Sequence, residues 1–329
     1  MRVLVTGAVG FIGHYVIQKL INDTDYDIIG LERLSYSGNL NRLSEINVNS
    51  RYKSVHHDLK SPINDILSKQ IGEVDYIIHI AASSHVDRSI EDPLSFVMDN
   101  VVGTCNILNF ARTQKSLRMF LYFSTDEVFG PAPDGVKYDE YDRYNSTNPY
   151  SASKAGGEEL CVAFRNTYNM PVVVTHTMNV FGNRQHPEKY IPKCIRSIDA
   201  GDTLYIHSDS TKTNPGSRHY IHGEDVADAI IFLMNNENCL LSENNLCPKF
   251  NVVGQEELNN LELAQIIAEV INKPLKYEFV DFHTSRPGHD LRYAIAGDRL
   301  ASLGWVPKVS VRERVREVVE WSLNHSEWI

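Results

Sequence analysis

The sequence predicts an α/β protein that is built on a doubly wound parallel sheet and carries a smaller mixed α/β lobe in its C-terminal part. Three observations support this fold class. Short apolar strands alternate with amphipathic helices through residue 178, a glycine-rich turn joins the first strand to the first helix, and the pattern changes after Asn179. Beyond Asn179 the strands shorten, proline and glycine become frequent, and a polar loop spans 208–217.

The strands are predicted from short apolar runs, and the helices from apolar stripes with helical spacing. One helical stripe, formed by Val226, Ala229, Ile230 and Leu233, would return the chain to the first lobe. The predicted strands are 2–6, 27–31, 52–56, 74–79, 119–123 and 171–175, and the predicted helices lie near 10–23, 37–46, 62–70, 91–115, 149–169 and 223–235.

The glycine-rich turn at 7–13 reads GAVGFIG. Glycines at this point allow a tight turn and let the backbone approach a pyrophosphate at a helix N-terminus. A glycine triplet alone also fits an ordinary turn, but the strand before it and the helix after it indicate a dinucleotide site of the Rossmann type. The predicted cofactor contacts in this turn are Gly7, Gly10, Phe11, Ile12 and Gly13.

The second strand ends in Glu32, 19 residues after Gly13. A carboxylate at this point can accept hydrogen bonds from the ribose hydroxyls and would repel a 2′-phosphate, which favours NAD over NADP. Arg33 leaves the alternative open, because an adjacent guanidinium could bind that phosphate.

Tyr150 and Lys154 are four positions apart and indicate a redox site. Side chains at i and i+4 share one face of a helix, so the ammonium would stabilise a tyrosinate that takes the proton of an alcohol. Asp126 and Glu127 follow the strand at 119–123, at the edge where open α/β sheets bind ligands. Such a pair is often only solvated, but elimination of water needs one group to remove a carbon-bound proton and another to protonate the leaving oxygen. These residues therefore indicate an oxidation coupled to a dehydration.

The composition is that of an ordinary globular enzyme, with 329 residues, 42% hydrophobic and 22% charged. The net charge of −10 argues against a nucleic acid or an anionic membrane as the main partner. Basic residues still gather at Arg184, Lys189, Lys193 and Arg196, which is enough for a small anionic ligand. No apolar run approaches the ~20 residues of a membrane span.

The five cysteines are odd in number and include no C-x-x-C pair and no nearby histidine at zinc spacing. They are expected to be free thiols in a reducing compartment, and no metal site is expected. The first predicted strand begins at residue 2, so no signal peptide is predicted before it. We therefore expect a cytoplasmic protein.

Together the motifs resemble those of the extended short-chain dehydrogenases/reductases, and within them the nucleotide-sugar 4,6-dehydratases of the dTDP-glucose type. The resemblance runs nearly from end to end. The segments that carry it are GAVGFIG, LERLSYSGNL at 31–40, HIAASSHVDRSI at 79–90, STDEVFG at 124–130, YSASKAG at 150–156, NVFGNRQHPEKYIP at 179–192 and RPGHDLRYAI at 286–295.

The resemblance implies a role for each catalytic candidate. Tyr150 would take the proton of the sugar's 4-hydroxyl while hydride moves from carbon 4 to NAD⁺, and Lys154 would also hold the nicotinamide ribose. Glu127 would remove the carbon-5 proton, and a protonated Asp126 would protonate the leaving 6-hydroxyl. Thr125 would hydrogen-bond the 4-oxygen. Return of hydride to carbon 6 would give a 4-keto-6-deoxy sugar nucleotide for deoxysugar biosynthesis, such as that of rhamnose, and would regenerate NAD⁺.

The resemblance also implies the binding contacts, whereas the change of pattern after Asn179 and the returning helix at 223–235 predict the domain division. The first domain, for the dinucleotide, would span 1–178 plus about 218–250, and the second, for the nucleotide sugar, 179–217 and 251–329. The further cofactor contacts would be Asp58, Leu59 and Ala81, and the substrate contacts His85, Asn179, Glu188, Lys189, Arg218, Asn251, Arg286 and His289.

The family also forms dimers, so a homodimer through the helices at 91–115 and 149–169 is expected. Ser83, Met178, Phe129 and the long loop at 208–217 depart from the family pattern, which leaves the nucleotide base open between dTDP and UDP. Two alternatives remain: a nucleotide-sugar 4-epimerase or other dehydrogenase of the same superfamily, and a non-catalytic NAD sensor.

Overall fold

The computed structural model describes residues 1–44, 46, 49–242, 246–281 and 291–329. The strands in these ranges are β1 Arg2–Thr6, β2 Asp27–Glu32, β3 Tyr52–His56, β4 Tyr76–His79, β5 Met119–Thr125, β6 Val172–Thr177, β7 Asn179–Phe181, β8 Leu204–Ser208, β9 Ser217–His222, β10 Lys249–Val252, β11 Glu257–Asn259 and β12 Tyr277–Asp281.

Besides α-helices, the described residues contain a π-helical turn, Met98–Val102, and 3₁₀ helices at Leu40–Leu43, Asp126–Phe129 and Ser326–Trp328. The helices are α1 Phe11–Asp23, α2 Asp65–Ile71, α3 Val86–Glu91, α4 Pro93–Val97, α5 Gly103–Ala111, α6 Pro149–Tyr168, α7 Tyr190–Ala200, α8 Gly223–Asn235, α9 Glu237–Ser242, α10 Asn260–Ile271, α11 Asp298–Ser302 and α12 Val311–Leu323. No helix among the described residues is both long enough and apolar enough to span a membrane.

Seven parallel strands form the central sheet in the order β10-β6-β5-β4-β1-β2-β3. The predicted doubly wound parallel sheet is confirmed. The strand order reverses at β1, which pairs with β2 on one side and β4 on the other. Open α/β sheets bind their ligands outside the carboxyl ends of the strands at such a switch point.

The two faces of the sheet bury separate apolar clusters. One cluster includes α1 and the predicted stripe of α8, so the prediction that this helix packs on the first lobe is confirmed. The other cluster joins the sheet to α2, α5 and α6. A third cluster lies among α7, α10 and α12, beside the small sheet β11-β9-β7 and the pair β12-β8.

The helix predicted at 37–46 is wrong: the structure has one short 3₁₀ helix, Leu40–Leu43. The guanidinium of Arg42 is buried and donates to the carbonyls of Val9 at 3.0 Å and Ser37 at 2.6 Å. These bonds tie the segment to the glycine turn and compete with a continuous helix.

The single helix predicted at 91–115 is also wrong in its bounds. The chain leaves the helical conformation at Asp92, which has φ −137° and ψ 78°, because the residue before a proline is pushed out of the α region. A new helix begins at Pro93, widens into the π-helical turn Met98–Val102 and ends at Ala111.

Candidate active site

A cavity of about 380 Å³ opens at the carboxyl edge of the central sheet. Its wall is formed by the glycine turn, by the ends of β2, β4, β5 and β6, by the first turns of α6 and by the segment 185–191. One cavity therefore brings together most of the residues that the sequence predicts for cofactor, chemistry and substrate.

The glycine turn has the geometry of a pyrophosphate site. Gly7 has φ +72°, and a Cβ there would lie 3.0 Å from the backbone of Ala81. A Cβ at Gly13 would overlap the carbonyl of Gly7. Gly10 begins α1 without a side-chain cap, so the first amides of the helix are available to an anion. Phe11 and Ile12, the first helical residues, line the cavity beside them.

Glu32 lies under the glycine turn and is only 4% exposed. Its Oε1 accepts a hydrogen bond from the amide of Val9 at 2.8 Å. Burial raises the pKa of Glu32 to about 8, and the bonds from Val9 and Ala8 reduce that rise. The carboxyl group therefore reaches the cavity, but it is largely protonated at neutral pH in this arrangement.

The other cofactor candidates also line this end of the cavity. Asp58 and Leu59 follow β3, and the carbonyl of Leu59 accepts a hydrogen bond from Asn106 at 2.7 Å. Ala81 follows β4, and its amide donates to the hydroxyl of Thr6 at 3.1 Å.

Asp126 is a buried acid at the end of β5. Burial and the neighbouring Glu127 raise the pKa of Asp126 to about 7, against the opposing charge of Arg218. Its Oδ1 accepts a hydrogen bond from the Thr125 hydroxyl at 3.1 Å. Its Oδ2 is buried and has no hydrogen-bond partner among the described residues. A carboxyl group of this kind carries a proton near neutral pH and can donate it.

Glu127 is half-buried next to this acid and is held in a different way. Its Oε2 accepts a hydrogen bond from Asn148 at 3.1 Å. Asn148 also caps α6, because its Oδ1 accepts a bond from the Ser151 amide at 2.9 Å. Asn148 was not predicted from the sequence, although an asparagine followed by Pro149 is a recognisable helix start.

Tyr150 and Lys154 are both buried on α6 and both line the cavity. Burial and the charge of Glu127 raise the pKa of Tyr150, while a hydrogen bond from Thr125 lowers it. The Lys154 ammonium donates to the carbonyl of Phe123 at 2.6 Å, and burial lowers its pKa to about 8. The expected lowering of the Tyr150 pKa by Lys154 is therefore not what this arrangement gives, because burial and the carboxylates dominate.

The substrate candidates His85, Asn179, Glu188 and Lys189 form another part of the cavity wall. Glu188 lies 3.6 Å from Nε2 of His85 and accepts a hydrogen bond from Arg88 at 3.2 Å. Asn179 is exposed on β7, and Lys189 precedes the first turn of α7. This wall can present charge and hydrogen bonds to a polar ligand.

The structure does not bring Asn251 to the cavity. The residue is fully buried, and its side chain bonds His176 at 3.0 Å, the carbonyl of Tyr138 at 3.2 Å and that of Ala296 at 2.9 Å. Its side-chain amide is therefore engaged by interior partners, because the pairing of β10 with β6 places Asn251 next to His176 inside the protein.

Arg218 also lies outside the cavity wall. Its guanidinium stacks on the ring of Tyr293 at 4.7 Å and donates to the carbonyls of Ser217 and Leu291. Its charge nevertheless reaches Asp126 and lowers the pKa of that acid. The other two candidates of this group, Arg286 and His289, lie outside the described residues.

A buried ion cluster centred on Glu158 of α6 was not predicted from the sequence either. Glu158 is four positions after Lys154 and fully buried, 3.2 Å from His176 and 2.9 Å from Lys249. Burial raises the pKa of Glu158, but His176 and Lys249 overcome it, so the net shift is downward. A third side chain at helical spacing after Tyr150 was the available signal.

Comparisons with known proteins show that the chain is similar to nucleotide-sugar 4,6-dehydratases. The family described as GDP-mannose 4,6 dehydratase matches residues 4–318. A dTDP-glucose 4,6-dehydratase from Escherichia coli is 35% identical over 355 residues, which cover 100% of this chain and 95% of the relative.

Solved structures agree with this similarity. DesIV, a dTDP-glucose 4,6-dehydratase from Streptomyces venezuelae with NAD and TYD bound, has a TM-score of 0.88 and 31% identity, covering 100% of this chain and 98% of that one. A UDP-glucose 4-epimerase from Thermus thermophilus in complex with NAD has a TM-score of 0.85 but only 25% identity, covering 97% and 98%. The epimerase is therefore the more distant of the two in sequence.

Proposed function

This chain belongs to the GDP-mannose 4,6-dehydratase family, and from that premise we propose that it is a hydro-lyase that converts a nucleoside-diphosphate glucose to the 4-keto-6-deoxy sugar nucleotide with NAD as cofactor. The substrate would be dTDP-glucose or UDP-glucose. One observation carries the proposal: a buried acid with a pKa raised to about 7, Asp126, adjoins Glu127 in the cavity that holds Tyr150 and the glycine turn.

The glycine turn fits a dinucleotide. Its uncapped helix start and the close approach of its backbone suit a pyrophosphate, and the same cavity continues to Tyr150 and Lys154. NAD bound there would supply an acceptor, and later a donor, of hydride. Lys154 would hold the nicotinamide ribose, and Glu32 the other ribose, in keeping with the resemblance of the sequence.

The chain's own residues would then handle the protons. Tyr150 would take the proton of the 4-hydroxyl as carbon 4 is oxidised, and Thr125 would hydrogen-bond the resulting ketone oxygen. The ketone acidifies the hydrogen on carbon 5, which Glu127 would remove as general base. Asp126 would give its proton to the departing 6-hydroxyl, which leaves as water. After hydride reaches carbon 6, Glu127 would return a proton to carbon 5.

The environments of the two carboxyl groups suit these opposite roles. Asp126 is buried, and its Oδ2 has no hydrogen-bond partner within the described part of the chain, which favours the protonated form of an acid. Glu127 is half-buried and accepts a hydrogen bond from Asn148, which orients its carboxyl group for the proposed role of base. Two neighbouring titratable groups with different environments are the arrangement that acid–base chemistry requires. An epimerase that only oxidises and reduces carbon 4 has no use for it.

The substrate would lie along the wall of His85, Asn179, Glu188 and Lys189. The Lys189 ammonium suits a diphosphate, and the carboxylate and amide suit sugar hydroxyls. Arg218, Arg286 and His289 remain proposed contacts of the nucleotide, whereas we do not carry Asn251 into the proposal. Activity on a panel of dTDP-, UDP-, CDP- and GDP-sugars would identify the base.

We further propose a homodimer that forms through α4, α5 and α6. Leu94 is 68% exposed and Val97 is 42% exposed on this side of the fold, and burial of such side chains against a second copy would stabilise an assembly. Light scattering on the native protein should give a dimer mass, and Leu94→Asp should shift it toward the monomer. A native monomer would refute this part. We also propose a cytoplasmic location, in keeping with the unpaired Cys105, Cys161, Cys194 and Cys247.

Substrate deuterated at carbon 4 tests the proposed activity. A dehydratase should move the deuterium to carbon 6 and release water. Inversion of carbon 4 without loss of water would instead identify a 4-epimerase, and NAD binding without any conversion of the sugar panel would identify a sensor. Either of these outcomes would overturn the proposal.

A further inference from the structure

A clamp between Arg33 and Asp99 lies in the cavity wall that also contains Glu32. Arg33 follows Glu32 at the end of β2, and its two terminal nitrogens meet the two oxygens of Asp99 at 2.6 and 2.9 Å. Asp58 adds a weaker contact at 3.4 Å. Arg33, Asp58 and Asp99 all line the cavity. The paired geometry is the bidentate fork that arginine also uses to bind phosphate.

Asp99 is fixed in place for this contact. It lies in the π-helical turn Met98–Val102, and its side chain is largely buried. Its Oδ2 also accepts a hydrogen bond from the Ser83 hydroxyl at 2.6 Å. The next residue, Asn100, bonds both the amide and the carbonyl of Ser83, at 2.8 and 2.9 Å. Irregular helical turns of this kind often position functional side chains.

The clamp concerns the choice between NAD and NADP. The two cofactors differ by a 2′-phosphate on the ribose that Glu32 would bind, and a nearby arginine is the group that accepts this phosphate. Glu32 repels the phosphate only when it is ionised. Burial raises its pKa to about 8, so its charge is incomplete at neutral pH. A free guanidinium at Arg33 would then attract the phosphate with little opposition.

We propose that Asp99 is a specificity-determining residue that keeps the protein selective for NAD by occupying the guanidinium of Arg33. The inference rests on the proposed use of NAD and adds a second discriminating group to Glu32. Asp99 acts through Arg33 and has no need to contact the cofactor. In its absence the fork of Arg33 faces the cavity with one weak partner, Asp58, and is open to a phosphate.

Calorimetric titration of the full-length protein with NAD⁺ and with NADP⁺ at pH 7 and fixed ionic strength tests the proposal. Asp99→Asn keeps the size of the side chain and removes its charge. It should tighten NADP⁺ binding by about tenfold or more, with NAD⁺ affinity within about twofold of native. The control Asp27→Asn removes the same charge at the other end of β2, where the side chain is exposed. It should leave both affinities unchanged.

The double variant Arg33→Gln with Asp99→Asn isolates the mechanism, because it removes the released guanidinium. It should return NADP⁺ affinity to the native level. Thermal unfolding checks each variant, and Asp99→Ser carries the same prediction if Asp99→Asn does not fold. Unchanged NADP⁺ affinity in a folded variant that binds NAD⁺, or an equal gain in the double variant, would overturn the inference. Native protein that binds no NAD⁺ would instead contradict the proposed function.

Discussion

The cavity has a catalytic end, which holds the proposed groups Asp126, Tyr150 and Lys154, and a substrate end, which holds the proposed contacts Asn179 and Glu188. The two ends are built in different ways. The proposed catalytic residues lie at the end of a central strand and on the first turns of a long helix, and Asp126, Tyr150 and Lys154 are buried there. Among the proposed substrate contacts, Asn179 and Glu188 are exposed, and Glu188 lies outside any regular element. Rigid elements thus hold the groups of the proposed chemistry, and surface segments hold those of recognition.

The comparison teaches where each kind of variant should act. Changes at the catalytic end should lower turnover and leave ligand binding intact, because the groups there are positioned by packed elements. Changes at the substrate end should alter KM, because those groups face the ligand and contribute little to the fold.

Loss of the Tyr150 hydroxyl should have the largest effect. Tyr150→Phe removes the proposed base for the 4-hydroxyl, so turnover should fall by about 10³-fold. NAD⁺ affinity should stay native, because the aromatic ring and its packing on Phe96 remain. Steady-state turnover and cofactor titration measure the two quantities. Tyr168→Phe, at the exposed end of the same helix, is the matched control. Near-native turnover of Tyr150→Phe would show that the hydroxyl is not the base.

Removal of the Asp126 acid should have the next largest effect. Asp126→Asn cannot protonate the leaving hydroxyl, so water loss should slow by about 10²-fold, while oxidation at carbon 4 continues. NADH should therefore accumulate transiently in a single turnover followed by absorbance. Asp134→Asn, on an exposed loop, should behave as the native protein. Full turnover of Asp126→Asn would refute the role of the acid.

A pair of asparagines separates fold from recognition. Asn251→Ala breaks several buried hydrogen bonds and should lower the free energy of unfolding by about 2–4 kcal/mol. Its KM for the nucleotide sugar should remain native. Asn179→Ala should do the reverse, with KM raised by about tenfold, since one polar contact is worth about that factor. Denaturant unfolding and steady-state kinetics measure both. A raised KM in a fully folded Asn251→Ala protein would restore that residue to the substrate site.

The pH profile should show the smallest of these effects. The pKa of Asp126 is raised to about 7, so the protonated acid is present below that pH and is lost as the pH rises through it. Turnover should therefore fall about fivefold between pH 7 and pH 8, and then approach about tenfold for each further pH unit. The slow turnover of Asp126→Asn should lack this alkaline limb. An identical limb in the variant would assign the titration to another group, such as Lys154.

The two ends of the cavity also differ in how much of their structure the sequence could predict. The strand β5 and the helix α6 follow from local patterns. The sequence could therefore predict that Asp126, Glu127, Tyr150 and Lys154 share one site. Their pKa values were not accessible in this way. The ammonium of Lys154 donates a hydrogen bond to the carbonyl of Phe123, and this contact depends on how α6 packs on β5.

The proposed substrate contacts were harder to predict, because their position depends on contacts between distant segments. The side chain of Asn251 forms hydrogen bonds with residues 138, 176 and 296. These contacts between distant segments are not visible in any local sequence pattern. The break at Asp92, by contrast, was accessible from Pro93. The clamp between Arg33 and Asp99 joins positions far apart in sequence, and only the arrangement of β2 beside the π-helical turn brings them together.

The protonation of Asp126 is the central claim, and infrared difference spectroscopy tests it directly. The spectrum of the native protein minus that of Asp126→Asn should contain the carbonyl band of one protonated carboxyl group at pH 6. That band should disappear as the pH rises through about 7, because only Asp126 differs between the two proteins. A difference spectrum that shows an ionised carboxylate throughout this range would contradict the account.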